Sequence, residues 1–160
     1  LAGFELKRRF NVTAHNETLF GIHMQYERGE FNLDAPYQRG HVWTPEQKAL
    51  LIDSFIGGLG VPPLYLRHHD AGSEGPWREV VDGKQRLTAL MEFMDGCFPY
   101  QGYTFNEWTG GDRRRFSNMG LSIFVVHDLT DEEAWEVFRR VNFCGVPQDQ
   151  AAFEARKNER

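Results

Sequence analysis

The chain has 160 residues, 41% of them apolar and 14% aromatic, enough for one globular domain with a real core. A net charge of −5 excludes a generally DNA-coating surface, so any nucleic-acid contact has to use a local patch. Cys97 and Cys144 form no disulfide framework and no metal spacing, and no run is long enough for a membrane span or a signal peptide, so a cytoplasmic chain is expected.

Leu1 to Thr13 reads as a strand or an extended arm, with Phe4, Leu6 and Phe10 available for packing and Lys7-Arg8-Arg9 as a solvated edge. Glu17 to Glu27 predicts a helix with Leu19, Ile22, His23 and Tyr26 on one face and Gly29 at C′. His23 reads as a satisfied interior histidine rather than a ligand. Phe31-Asn32-Leu33 is a short strand that leads into the loop Pro36-Tyr37-Gln38-Arg39-Gly40. Tyr37, Gln38 and Arg39 offer an aromatic face, an amide and a fork of donors, a set that can grip a base, a sugar or a DNA backbone. The plainer alternative is a core tyrosine beside a surface arginine.

Thr44-Pro45-Glu46-Gln47 is a helix start, with Thr44 as N-cap, Pro45 at N1 and Gln47 closing a capping box. Leu50, Leu51, Ser54 and Phe55 are expected on its buried side, and Gly57-Gly58 ends it. Asp53 and Ser54 read as a solvated carboxylate and a packing residue. Val61 to His69 predicts a strand entered through two prolines, and Trp77 to Val81 returns antiparallel to it after a polar turn. His68 and His69 would point to opposite faces of that strand, so no metal is expected there.

Phe98 to Thr109 is aromatic and irregular. Glu107 to Met119 contains a helical turn carrying Arg113-Arg114-Arg115, the densest basic run in the chain. Leu121 to Val126 is a buried strand. Thr130 and Glu133 open a further helix that turns Ala134, Val137, Phe138 and Val141 inward and pairs Glu136 with Arg140. Asp149 to Arg160 is expected to add one more helix, anchored on Phe153.

The stretch between these flanks carries the chemistry. Glu79 to Leu90 reads as a buried strand, a tight turn and the opening of a helix, with Asp82 as N-cap and Gln85 completing a capping box. Leu87, Leu90, Met91 and Met94 fall at helical spacing on a core face. Lys84 and Arg86 stand in the first turn, where the macrodipole disfavours each cation by about 0.3–1 kcal/mol. A bound anion would reverse that sign. Gly83 admits close approach, so Gly83, Lys84 and Arg86 read as a phosphate site. Lys84 shares a wet face with Thr88 and Glu92. Arg86 points toward the body of the domain, where the alternative is a pairing with a carboxylate at the core edge.

Val81 to Leu90 resembles the DGQQR box of the DUF262 family, which includes the N-terminal part of GmrSD-type restriction enzymes and is similar in fold to the ParB/sulfiredoxin superfamily. Pro36 to Trp43 with Leu51 to Leu66 forms a second match, and Phe138-Arg139-Arg140-Val141-Asn142 a third. Together they run from about residue 31 to 147. Lys84 departs from the family's first glutamine, and the segment after Pro147 departs from its usual continuation. The chain has no room for the C-terminal nuclease domain of larger members.

The elements alternate irregularly, which predicts an α+β domain: a small mixed sheet with flanking helices, taken as a single domain over 1–160. The resemblance implies the ParB/sulfiredoxin-like fold and a nucleotide-phosphate-binding domain with slow NTP hydrolysis, linked to DNA processing or defence against foreign DNA. In that reading Asp82, Gln85 and Arg86 are catalytic. Gly83, Lys84, Arg86 and Arg39 hold phosphate, and an NTP with Mg2+ is the cofactor. No metal is held by the protein itself. A homo-oligomer or a nuclease chain is the implied partner. The alternative is a non-catalytic module that senses a DNA backbone through Tyr37, Gln38, Arg39 and the basic run. No P-loop pattern is present, which excludes a Walker-type NTPase.

Overall fold

The computed structural model describes residues 3–38, 42–72 and 74–143. The arginine of the second motif, Arg39, lies outside them, as does the expected C-terminal helix from Asp149. Five strands form one sheet in the order β1-β5-β3-β4-β2. They are β1 (Asn11–Thr18), β2 (Phe31–Asn32), β3 (Leu64–His68), β4 (Arg78–Asp82) and β5 (Gly120–His127). β1 with β5 and β3 with β4 are antiparallel, while β3 with β5 and β2 with β4 are parallel. The helices are α1 (Leu19–Glu27), α2 (Pro45–Ile56), α3 (Lys84–Met94), α4 (Gly110–Ser117) and α5 (Asp131–Phe143). This is the expected mixed sheet with flanking helices.

Strand alternation divides the apolar residues between two faces. Leu64 and Leu66 of β3, Val80 of β4, and Leu121, Ile123 and Val125 of β5 join the larger core under α1 to α4. Val81 and Val126 face the other way, into a smaller core with Ala134, Trp135, Val137 and Phe138 of α5. β4, buried from Arg78 to Val81, is therefore covered on both sides. α3 runs through the larger core, and Phe93 meets the rings of Phe98, Phe105, Trp108 and Phe116.

Local signals place most helix ends. Thr44 caps α2 in a full capping box with Gln47 behind Pro45. Thr130 and Glu133 exchange the same pair of bonds at the start of α5. The buried face of α2 differs from the expectation. Leu51, Ile52 and Phe55 are buried, whereas Leu50 is 65% exposed. Lys48 of α2 reaches Glu92 of α3 at 2.6 Å, which sets the rotation of α2 against its neighbour.

One buried cation ties the sheet to α1. Arg78 is 1% exposed. It donates to both carboxylate oxygens of Glu17 at 2.9 and 2.7 Å, to Gln25, and to His68 Nε2 at 3.3 Å. It also stacks on Phe31. Burial and the Arg78 charge push the His68 imidazole down to about 4, from an ordinary 6.5. For Glu17, burial works to raise the carboxyl pKa, but hydrogen bonds and charge from Arg78 and His15 outweigh it and hold it below 4.5. Both shifts have one sign for stability. The unfolded chain takes up the His68 proton first, so that contribution is complete above 6.5 and is lost as the pH falls toward 4. The Glu17 contribution is lost further down, as pH falls through its folded value. Urea midpoints should therefore drop steadily below pH 6.5. His68→Gln keeps an acceptor for Arg78 and should flatten the slope between pH 6.5 and 4; an unchanged slope would assign the acid loss elsewhere.

Candidate functional site

The chain leaves β4 at Asp82, turns at Gly83 and enters α3 at Lys84. Gly83 has φ 103°, in the left-handed region. A Cβ there would sit 2.4 Å from Leu64 Cδ2 and 3.1 Å from Arg86 Nη2. The residue is thus required twice, for its backbone and for its lack of a side chain.

Asp82 does not cap α3, contrary to the sequence expectation. The N-cap position is Gly83, and no side chain caps the helix. The reason is tertiary. Asp82 Oδ2 accepts from Arg86 Nη2 at 3.0 Å, and Oδ1 accepts from Asn142 Nδ2 at 3.3 Å, so the carboxylate turns away from the helix start. Gln85 does not close a box either; its Oε1 accepts from the Trp43 backbone N–H at 3.0 Å. The first turn of α3 is left with backbone donors and no side-chain acceptor.

Arg86 is 14% exposed and follows the pairing alternative. One terminal nitrogen donates to Asp82 and to the Pro63 carbonyl at 2.8 Å. Its Nε is buried without a partner among the described residues. Lys84 is half-buried at the helix start, where no ion pair among the described residues engages it. Thr88 is also half-buried, and its hydroxyl is shut off from solvent, so that face is drier than expected.

The second motif packs beside this turn but not as a surface grip. Tyr37 is 2% exposed. Its hydroxyl donates to Glu79 Oε2 at 2.7 Å, and its ring lies against Trp135 and Phe138. Burial, then the Glu79 hydrogen bond, pushes its pKa far up. Tyr37 is therefore a core tyrosine and is not available to a base or a DNA backbone. The Gln38 amide donates to the carbonyls of Val80 and Val81 at 2.6 and 2.7 Å, so it too is withdrawn from such a contact. Gln38 and Trp43, which bracket the residues from 39 to 42, are pinned to β4 and to Gln85 of α3. The first two motifs thus meet at one turn. The third joins them through Asn142, which also donates to the Phe138 carbonyl at 2.8 Å.

Sequence reasoning missed the roles of Asn142, Trp43 and Pro63 here. Asn142 had a signal in the Phe138 to Asn142 match, but its partner, 60 positions back, was not readable. His68 and His69 do not share a site: His68 meets Arg78, whereas His69 lies 3.6 Å from Glu79.

With this geometry in view, the comparisons with known proteins are specific. The family model for the GmrSD restriction endonuclease N-terminal domain matches residues 21–118, and the chain belongs to that family. No curated protein matches the chain. Among solved structures, the chain is similar to the C-terminally truncated chromosome-partitioning protein ParB from Caulobacter crescentus, complexed with CTP-gamma-S. That likeness has 14% identity and a TM-score of 0.47, and covers 85% of this chain and 56% of the other. It is also similar to a Pnob8-like ParB-N domain, at 13% identity and a TM-score of 0.48, covering 96% of this chain and 46% of the other. The chain spans about half the length of each.

Gly83→Ala should cost about 2–4 kcal/mol, combining the strained φ with the clash on Leu64. Gln85→Ala should cost about 1 kcal/mol by orphaning the Trp43 N–H. Urea unfolding at pH 7 checks both. A neutral Gly83→Ala would show that the turn relaxes freely.

Proposed function

We propose that the turn from Gly83 to Arg86 binds the phosphates of a nucleoside triphosphate, within a protein that processes DNA in the manner of a restriction system. The observation that carries this is the uncapped start of α3, with its carboxylate neighbour turned aside. Backbone N–H groups at an 11-residue helix start and Lys84 beside them suit an anion. Membership of the GmrSD N-terminal family supports the DNA-processing context.

The chemistry assigns distinct roles. Gly83 and Lys84 hold phosphate, and Arg39 adds charge. Arg86 braces Asp82 against Pro63, so its role is to position the turn. Gln85 keeps the loop in place through Trp43. Slow hydrolysis involving Asp82, Gln85 and Arg86 is the finer part of this reading. Both Asp82 oxygens already accept hydrogen bonds, so the turn offers Mg2+ no carboxylate cage, and the ion would arrive on the triphosphate. The DNA-sensing alternative is less well supported, because Tyr37 and Gln38 spend their polar groups inside the domain.

Thermal shift with ATP, GTP, CTP and UTP, each with and without Mg2+, tests the reading. A nucleotide at a hundred times its dissociation constant should stabilise the fold by about 2.7 kcal/mol. Lys84→Gln should weaken binding by about 1 kcal/mol, the scale of one screened contact. Arg39→Ala should weaken it more by removing a charge-assisted contact, and Arg86→Ala more by leaving the Asp82 carboxylate unpaired beside the anion. Arg86→Ala should also lower the unfolding midpoint, so calorimetry on folded protein is needed. No stabilisation by any nucleotide, or equal affinity across the three variants, would end the proposal.

A further inference from the structure

On the opposite end of α3 from the phosphate turn, two helix C-termini meet. Glu27 is the last residue of α1, and Asp95 is the C-cap of α3. The macrodipoles there are negative and favour cations. Neither helix has a basic residue in its last turn. Instead, His23, Glu27 and Asp95 bring three ligand atoms within 4.8 Å of one another. His23 Nε2 lies 2.7 Å from Asp95 Oδ1 and 3.8 Å from Glu27 Oε1. Lys48 pairs with Glu92, and Arg28 makes no ion pair with the three.

From this arrangement we propose that His23, Glu27 and Asp95 form a binding site for a divalent transition metal, with Zn2+ as its expected occupant. One imidazole and two carboxylates are borderline-soft and hard donors of the kind Zn2+ takes at about 2.0–2.2 Å. The His23 ring is held, at 17% exposure, while Glu27 and Asp95 stand at 60% and 42%. The ring is thus a fixed ligand and the carboxylates are free to adjust. A three-ligand set leaves a fourth position to water. His23 and Glu27 are one turn apart on α1 and Asp95 comes from α3, so the ion would clamp the two helices together. The sequence reading takes His23 as a satisfied interior histidine rather than a ligand; Asp95 lies 68 positions beyond Glu27.

The test is titration of the full chain with Zn2+ in chelator-free buffer without nucleotide, followed by calorimetry, with Co2+ absorption as a second readout. One Zn2+ should bind per chain and raise the unfolding temperature. His23→Ala should lower the affinity by about 100-fold, and Glu27→Gln by about tenfold. Glu27 is exposed, so Glu27→Gln should fold and keeps the test decisive if His23→Ala does not. His69→Ala and Cys97→Ser should leave binding unchanged. No stoichiometric binding by the wild type, an unchanged affinity in Glu27→Gln, or loss of binding in His69→Ala or Cys97→Ser would overturn the proposal.

Discussion

At Gly83 the chain passes from a strand buried on both faces to a helix in a single residue, at a φ of 103°. Leu64 occupies the space where a side chain would begin. Because the turn is that tight, Asp82 and Arg86 face each other across it and close on the Pro63 carbonyl. The sheet, α3 and the entry to β3 are fixed against one another at one point. Asn142 brings α5 to the same carboxylate from the opposite layer. Both cores of the domain therefore meet at the residue pair that frames the proposed phosphate turn.

Much of this was legible in order but not in role. The strand–turn–helix, the capping boxes at Thr44 and Thr130 and the hairpin of β3 with β4 follow from local rules, and local rules place them correctly. Asp82 illustrates the limit. An aspartate before a helix is a good cap in isolation, yet a charge-assisted bond to Arg86 competes for the same oxygens and wins. Tyr37 illustrates another. Its neighbours in sequence are polar, and only β4 supplies the Glu79 that satisfies its hydroxyl in the core. For α2, periodicity gave the arc of the buried face but not its rotation, which the contact of Lys48 with α3 decides.

The buried polar groups form a connected set rather than isolated pairs. Tyr37 donates to Glu79, Arg67 lies 3.5 Å from Glu79, and Arg67 also reaches Asp131 at 2.7 Å and the Leu129 carbonyl at 2.8 Å. These bonds link the loop before Arg39 to the N-terminal turn of α5. At the other end of that helix, Asn142 holds Asp82. α5 is thus fastened at both ends to the two motifs that border the turn. Tyr37 or Glu79 left without its partner would be a buried polar orphan, so the set constrains position more than it adds net stability.

The pairing of Arg86 with Asp82 also settles where charge for an anion must come from. A guanidinium 3.0 Å from a carboxylate contributes little net field outside the pair. Under the proposed function, the turn would attract an anion mainly through oriented backbone N–H groups, which are close-range and lose strength quickly with distance. Lys84 is the cation at the helix start that the described residues leave unpaired, and it replaces the glutamine usual at that position in the family. An uncharged residue there would leave the N–H groups to act alone. Lysine adds a longer-range attraction in a chain whose net charge of −5 otherwise repels anions. Under the proposed function, Lys84 would therefore offset a cost that this chain's own acidity imposes on anion binding.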